Sequence, residues 1–97
     1  MSHEKRVAAG KFRENFERMV AELEVVAATG DPTAQYDLSI LEFDLAMERR
    51  SWDHFNRAES LTRSAAEAGL PAAVDSLANW EALRNAFQRR LQGESAA

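Results

Sequence analysis

The chain of 97 residues has no cysteine, two prolines, four glycines and two histidines. Without cysteine there is no disulfide framework, no thiolate nucleophile and no thiolate metal site. No run approaches the ~20 apolar residues a membrane helix needs. The opening MSHEKRVAAGKF carries charge but no apolar stretch of about 7–15 residues, so no secretory signal is read there. The expected compartment is therefore the cytoplasm, with no membrane partner. A basic excess is missing too: 12 Lys and Arg stand against 16 Asp and Glu, a formal charge of −4. Nucleic-acid binders need a basic face. A local basic patch is open only at Arg49-Arg50 or Arg89-Arg90, where Glu48 and other nearby acids dilute it, and no nucleic-acid partner is expected. β-Branched residues are sparse and period-2 alternation is absent, which argues against strands.

What is present is helical patterning. Apolar residues are 45% of the chain and 29% are charged, enough for one small core. Phe12, Phe16, Met19, Val20, Leu23, Val26 and Ala27 fall on one stripe at about 100° per residue. Gly30 is placed to end that helix, Asp31 to cap the next, and Pro32 to open it. The second helix carries two apolar stripes. Ala34, Leu38, Leu41 and Leu45 form one, Tyr36, Ile40, Phe43 and Met47 the other, with Asp37, Asp44 and Glu48 between them. A helix apolar on opposite sides is sandwiched between neighbours. Ser51 caps a third helix with Trp52, Phe55, Ala58, Leu61, Ala65 and Ala66 inward. Gly69 ends it, and Pro71 opens a fourth carrying Ala73, Leu77, Trp80, Leu83, Phe87 and Leu91.

A shift of 39 residues exposes an internal repeat. It places Gly30 on Gly69, Pro32 on Pro71, Ala34 on Ala73, Leu38 on Leu77 and Phe16 on Phe55. Residues 11–50 form unit one and 51–92 unit two of a single helical-repeat domain. Residues 1–10 are a flexible segment or a helix extension, and 93–97 a frayed tail. The expected fold is all-α: two antiparallel helical hairpins stacked as a short solenoid or four-helix bundle. In unit two the second stripe of the B helix becomes Asp75, Asn79, Ala82 and Ala86, so the last helix reads as a terminal cap.

Ala58-Glu-Ser-Leu61, then Ala65-Ala66-Glu67-Ala68-Gly69, Ala73 and Leu77, resemble the Sel-one-like repeat, a relative of the tetratricopeptide repeat. Gly30, Ala34, Gln35, Tyr36 and Leu38 resemble the start of that family's helix B. The departures are Ser39 and Ala78 for its usual small Gly, and Glu42 and Glu81 for its usual aromatic. Met47-Glu48-Arg49-Arg50-Ser51-Trp52 replaces its Gly-rich loop. The resemblance implies a scaffold for protein–protein contacts rather than catalysis.

The residues themselves offer little chemistry. No HExxH, EF-hand loop, P-loop, GxGxxG or GxSxG occurs. His3 lies in the terminal segment, and His54, beside Asp53 on a first helical turn, reads as solvent-facing or capping. Glu14, Glu17, Glu22 and Glu24 read as a solvated face. No catalytic residue, cofactor or metal site is predicted, and the chain is not expected to be an enzyme. The candidate interaction residues are Tyr36, Ile40, Phe43, Met47, Trp52 and Arg84. The Tyr36–Met47 stripe reads first as packing between hairpins and second as a partner groove. Trp52 either staples the inter-unit turn or anchors a partner, since Trp is common at binding hot spots. Arg84 stands on an apolar face, as a groove edge or a snorkelling side chain. The leading expectation is an adaptor-like interaction module for another protein. A small acidic inhibitor or immunity-type protein acting by occlusion is the alternative, and a homo-oligomeric assembly component a third.

Overall fold

The computed structural model describes residues 2–93, with side chains from 13 onward, so of the expected tail at 93–97 all but Gly93 lies outside the described residues. The fold is all-α: α1 (Ser2–Ala28), α2 (Pro32–Arg49), α3 (Trp52–Glu67), α4 (Pro71–Ala78) and α5 (Trp80–Leu91). Residues 2–10 extend α1 as helix. Between α1 and α2, Gly30 takes φ +95, and between α3 and α4, Gly69 takes φ +91. Both are left-handed values that glycine adopts without the Cβ penalty. The second turn closes as a Schellman motif, with Leu70 N–H on the Ala65 carbonyl and Gly69 N–H on the Ala66 carbonyl. The first is capped from the other side: Asp31 Oδ2 accepts from Ala34 N–H at 2.9 Å. Ser51 Oγ accepts from His54 N–H at 3.4 Å to start α3.

The fourth expected helix is two helices. At Asn79 the backbone leaves helical values (φ −101, ψ 10), and its N–H turns to the Ser76 carbonyl three residues back. Its Nδ2 donates to the Asp75 carbonyl at 3.0 Å. An asparagine that bonds its own helix backbone competes with the ladder, a tertiary detail that apolar spacing does not reveal.

The hairpins α1/α2 and α3/α4 stack with α2 against α3, and two apolar clusters hold them together. Ala27, Ala34 and Leu38 meet Val20, Leu23 and Leu61 at the closed end of the first hairpin. Ala46, Phe55, Ala58, Trp80 and Phe87 form the larger core, flanked by Phe43, Met47, Leu77, Leu83 and Leu91. Small Ala46 and Ala58, both fully buried, let α2 and α3 close up so that the rings fill the space beyond them. Phe55 and Phe87 stack at 4.7 Å between centroids, and Trp52 meets Phe87 edge-on at 4.7 Å. Each fully buried aromatic contributes about 1.5–3 kcal/mol, with about 0.5–1.5 kcal/mol more for favourable ring geometry. Arg90 Nε reaches back to the Met47 carbonyl at 2.9 Å, placing a cation at the C-terminus of α2.

The stripe expected on α1 is covered only in part. Ala27 is buried and Val20 and Leu23 are half-buried, but Phe16, Met19 and Val26 are exposed. The side chain of Phe12 lies outside the described residues. On α2 the deepest positions include Ser39, Glu42 and Ala46, which lie on neither of the two expected stripes.

Candidate functional site

Tyr36, Ile40 and Phe43 line an apolar slot of about 140 Å³ with Ser39, Thr62, Ser76, Trp80 and Leu83. The Tyr36 hydroxyl shares a hydrogen bond of 2.8 Å with Ser76 Oγ, joining α2 to α4. Phe43 lies 6.0 Å from Phe55 and 6.2 Å from Trp80, and Met47 packs on the same core. Of that stripe only Ile40 is markedly open, at 45% exposure. Trp52 spans the inter-unit turn and packs edge-on against Phe55 and Phe87. Arg84 donates to Glu59 Oε1 and holds its guanidinium carbon 6.0 Å from the Phe55 ring centre. Met47, Trp52 and Arg84 do not line the slot, so the six candidates do not form one site.

One polar cluster was not legible as such. Glu42, on α2, is buried, with its side chain only 6% exposed. It accepts from Arg57 Nη1 at 2.8 Å and pairs with His54 Nδ1 at 2.6 Å. Arg57 Nη2 also donates to Glu24 at 2.5 Å, so one guanidinium bridges α1, α2 and α3. The hydrogen bond to Glu24 is the main reason the Arg57 pKa is raised above its ordinary value; partial burial opposes it and the charges of Glu24 and Glu42 assist. His54 and Glu24 are therefore structural partners rather than free surface groups. A buried carboxylate with both oxygens engaged fixes how three helices meet. Among the described residues no group of three or more His, Asp or Glu is arranged to hold a metal ion.

A wide groove lies between α1 and α2, toward the end of the hairpin away from Gly30. It measures about 710 Å³ and is lined by Arg13, Phe16, Glu17, Val20, Leu41, Asp44, Leu45, Glu48 and Arg49. The 39-residue repeat explains it. Phe16 occupies the position of Phe55, and the residues around it are the counterparts of the aromatic core of unit two. Where that core has Trp52, Trp80 and Phe87, unit one has Arg13, Leu41 and Glu48. Leu45 likewise stands at the position of Arg84 and Val20 at that of Glu59. In unit two the rings fill the space and Phe55 is 0% exposed; in unit one they are missing and Phe16 is 37% exposed. The groove is the first unit's counterpart of the second unit's core, left open. Beside it Met19, Leu23, Asp37, Ile40 and Leu41 line a shallower depression, so apolar surface continues along the hairpin.

The signal for this site was in the sequence. The repeat shift aligns a Phe with a Phe while its aromatic neighbours become charged or aliphatic, which marks an unfilled copy. No family model, curated protein or solved structure matches the chain. No helix among the described residues is long and apolar enough to cross a membrane.

Proposed function

We propose that the chain is a non-enzymatic protein-interaction module of the helical-repeat type, resembling Sel-one-like repeats, that receives another protein in the groove between α1 and α2. The observation that carries this reading is the contrast between equivalent positions: Phe55 sealed by aromatic rings, Phe16 open in a groove of about 710 Å³. A groove with an apolar floor (Phe16, Val20, Leu41, Leu45) and a charged rim (Arg13, Glu17, Asp44, Glu48, Arg49) has the anatomy of an interaction site, with a dry centre and polar margin. An aromatic at its centre is a natural hot spot, worth about 2 kcal/mol or more when truncated.

The test is affinity capture from the source cells with the wild-type chain and with Phe16→Glu. The reading predicts a partner retained by the former and lost by the latter, with equal helicity for both. A partner retained equally by both chains removes the groove from the account.

A further inference from the structure

Charge and helix length point to what fills the groove. Residues 1–13 carry four bases (Lys5, Arg6, Lys11, Arg13) against one acid (Glu4), a balance of +3, which leaves −7 for the rest of a chain of net −4. In α1 four of the five bases (Lys5, Arg6, Lys11 and Arg13) stand in the N-terminal half beside Glu4 and Glu14, while the second half carries Glu17, Glu22 and Glu24 against Arg18 alone and its last turn has no base. This order runs against the helix dipole, which favours acids at the start and bases at the end. It therefore costs the isolated helix stability, and it is self-complementary when two such helices lie antiparallel. α1 is also long: 27 residues against 18 in α2. At 1.5 Å per residue these are about 40 Å and about 27 Å, so the basic start of α1 projects past the end of its hairpin partner.

We propose that the groove of one copy receives the basic first turns of α1 from a second copy, reciprocally, in an antiparallel two-fold pair. The inference rests on the reading of the groove as a docking surface and names its occupant. The groove's three acids, Glu17, Asp44 and Glu48, outnumber its two bases, Arg13 and Arg49, and the incoming segment offers Lys5, Arg6 and Lys11 in its sequence to meet them. The same segment brings Val7 and Phe12, apolar groups of the kind the first unit lacks where the second has Trp52, Trp80 and Phe87. Two-fold pairing lets each copy both insert and receive, so the assembly closes at two.

Sedimentation equilibrium of the full chain tests this, with two charge-reversed variants: Lys5→Glu/Arg6→Glu, which inverts the insert, and Asp44→Lys/Glu48→Lys, which inverts the rim. The wild type is expected to dimerise, and each variant to dimerise at least about tenfold more weakly, because charge pairs worth a few tenths to one kcal/mol each turn repulsive twice per dimer. An equimolar mixture of the variants restores pairing, since an acidic insert then meets a basic rim and a basic insert an acidic rim. A wild type monomeric at hundreds of micromolar, a dimer indifferent to both reversals, or a mixture that fails to pair overturns the proposal. A monomeric chain whose Phe16→Glu variant still loses a captured partner sinks self-pairing and keeps the groove reading; capture indifferent to Phe16→Glu removes both.

Discussion

Arg50 is the one described residue other than glycine with a positive φ, at +53. It ends α2 in the left-handed conformation and donates its N–H to the Ala46 carbonyl. In a side chain with a Cβ that conformation costs about 1–2 kcal/mol. The site falls in the inter-unit stretch Met47–Trp52, so the turn is made there without the residue best suited to it. Arg50→Gly is expected to raise stability by about 0.5–1 kcal/mol, after allowing for the added freedom of the unfolded chain, measured by denaturant unfolding. Glu42 is the opposite case, a charged residue with no freedom to change. Glu42→Ala strands one Arg57 bond and the His54 ring, for an expected loss of about 2 kcal/mol in the same assay; Arg57 is half-exposed and keeps Glu24, so the loss stays below that of a fully buried pair. The raised pKa of Arg57 has a simple consequence for pH. A base held more firmly in the fold contributes its stability below its unfolded value, and that contribution disappears only as pH rises through the still higher folded value. Thermal melts between about pH 7 and pH 10 should therefore show no step that Arg57→Gln abolishes.

At the scale of elements, most of the fold was legible in the sequence. Gly30, Asp31 and Pro32, and again Gly69 and Pro71, are local instructions that act within one turn, and the three helix starts predicted from such residues, at Pro32, Trp52 and Pro71, fall where those residues put them. Two features were not legible for the same reason: each depends on a side chain meeting something far along the chain or within its own helix. Asn79 splits the last helix by bonding Asp75, and Glu42 is buried because Arg57 and His54, 15 and 12 residues away, engage its two carboxylate oxygens. Amphipathic spacing treats Glu42 as polar and therefore outside. The division into α4 and α5 leaves α5 dependent on its ring contacts, Phe87 above all. Phe87→Ala is expected to cost about 3–5 kcal/mol and to release α5 from the stack, read as lost amide protection over Trp80–Leu91 in hydrogen exchange.

For the whole molecule, the two units share punctuation but not contents. Aromatic rings were spent on unit two, where Trp52, Trp80 and Phe87 seal Phe55, and unit one kept the frame with its interior open. Of the six interaction residues picked from the sequence, Phe43, Met47 and Trp52 pack against the aromatic core, while Ile40 stays open. The groove was overlooked because its lining is a mixture of ordinary residues whose meaning lies in comparison with their repeat partners. The account stands on that asymmetry, and unfolding free energies of Phe16→Ala and Phe55→Ala, measured side by side at monomeric concentrations, test it most directly. Phe55→Ala should cost about 3–5 kcal/mol, as a cavity in a sealed core does. Phe16→Ala should cost less than about 1 kcal/mol, as a half-exposed side chain outside the core does. Equal losses at the two positions would mean that both units are closed cores, and would contradict the groove.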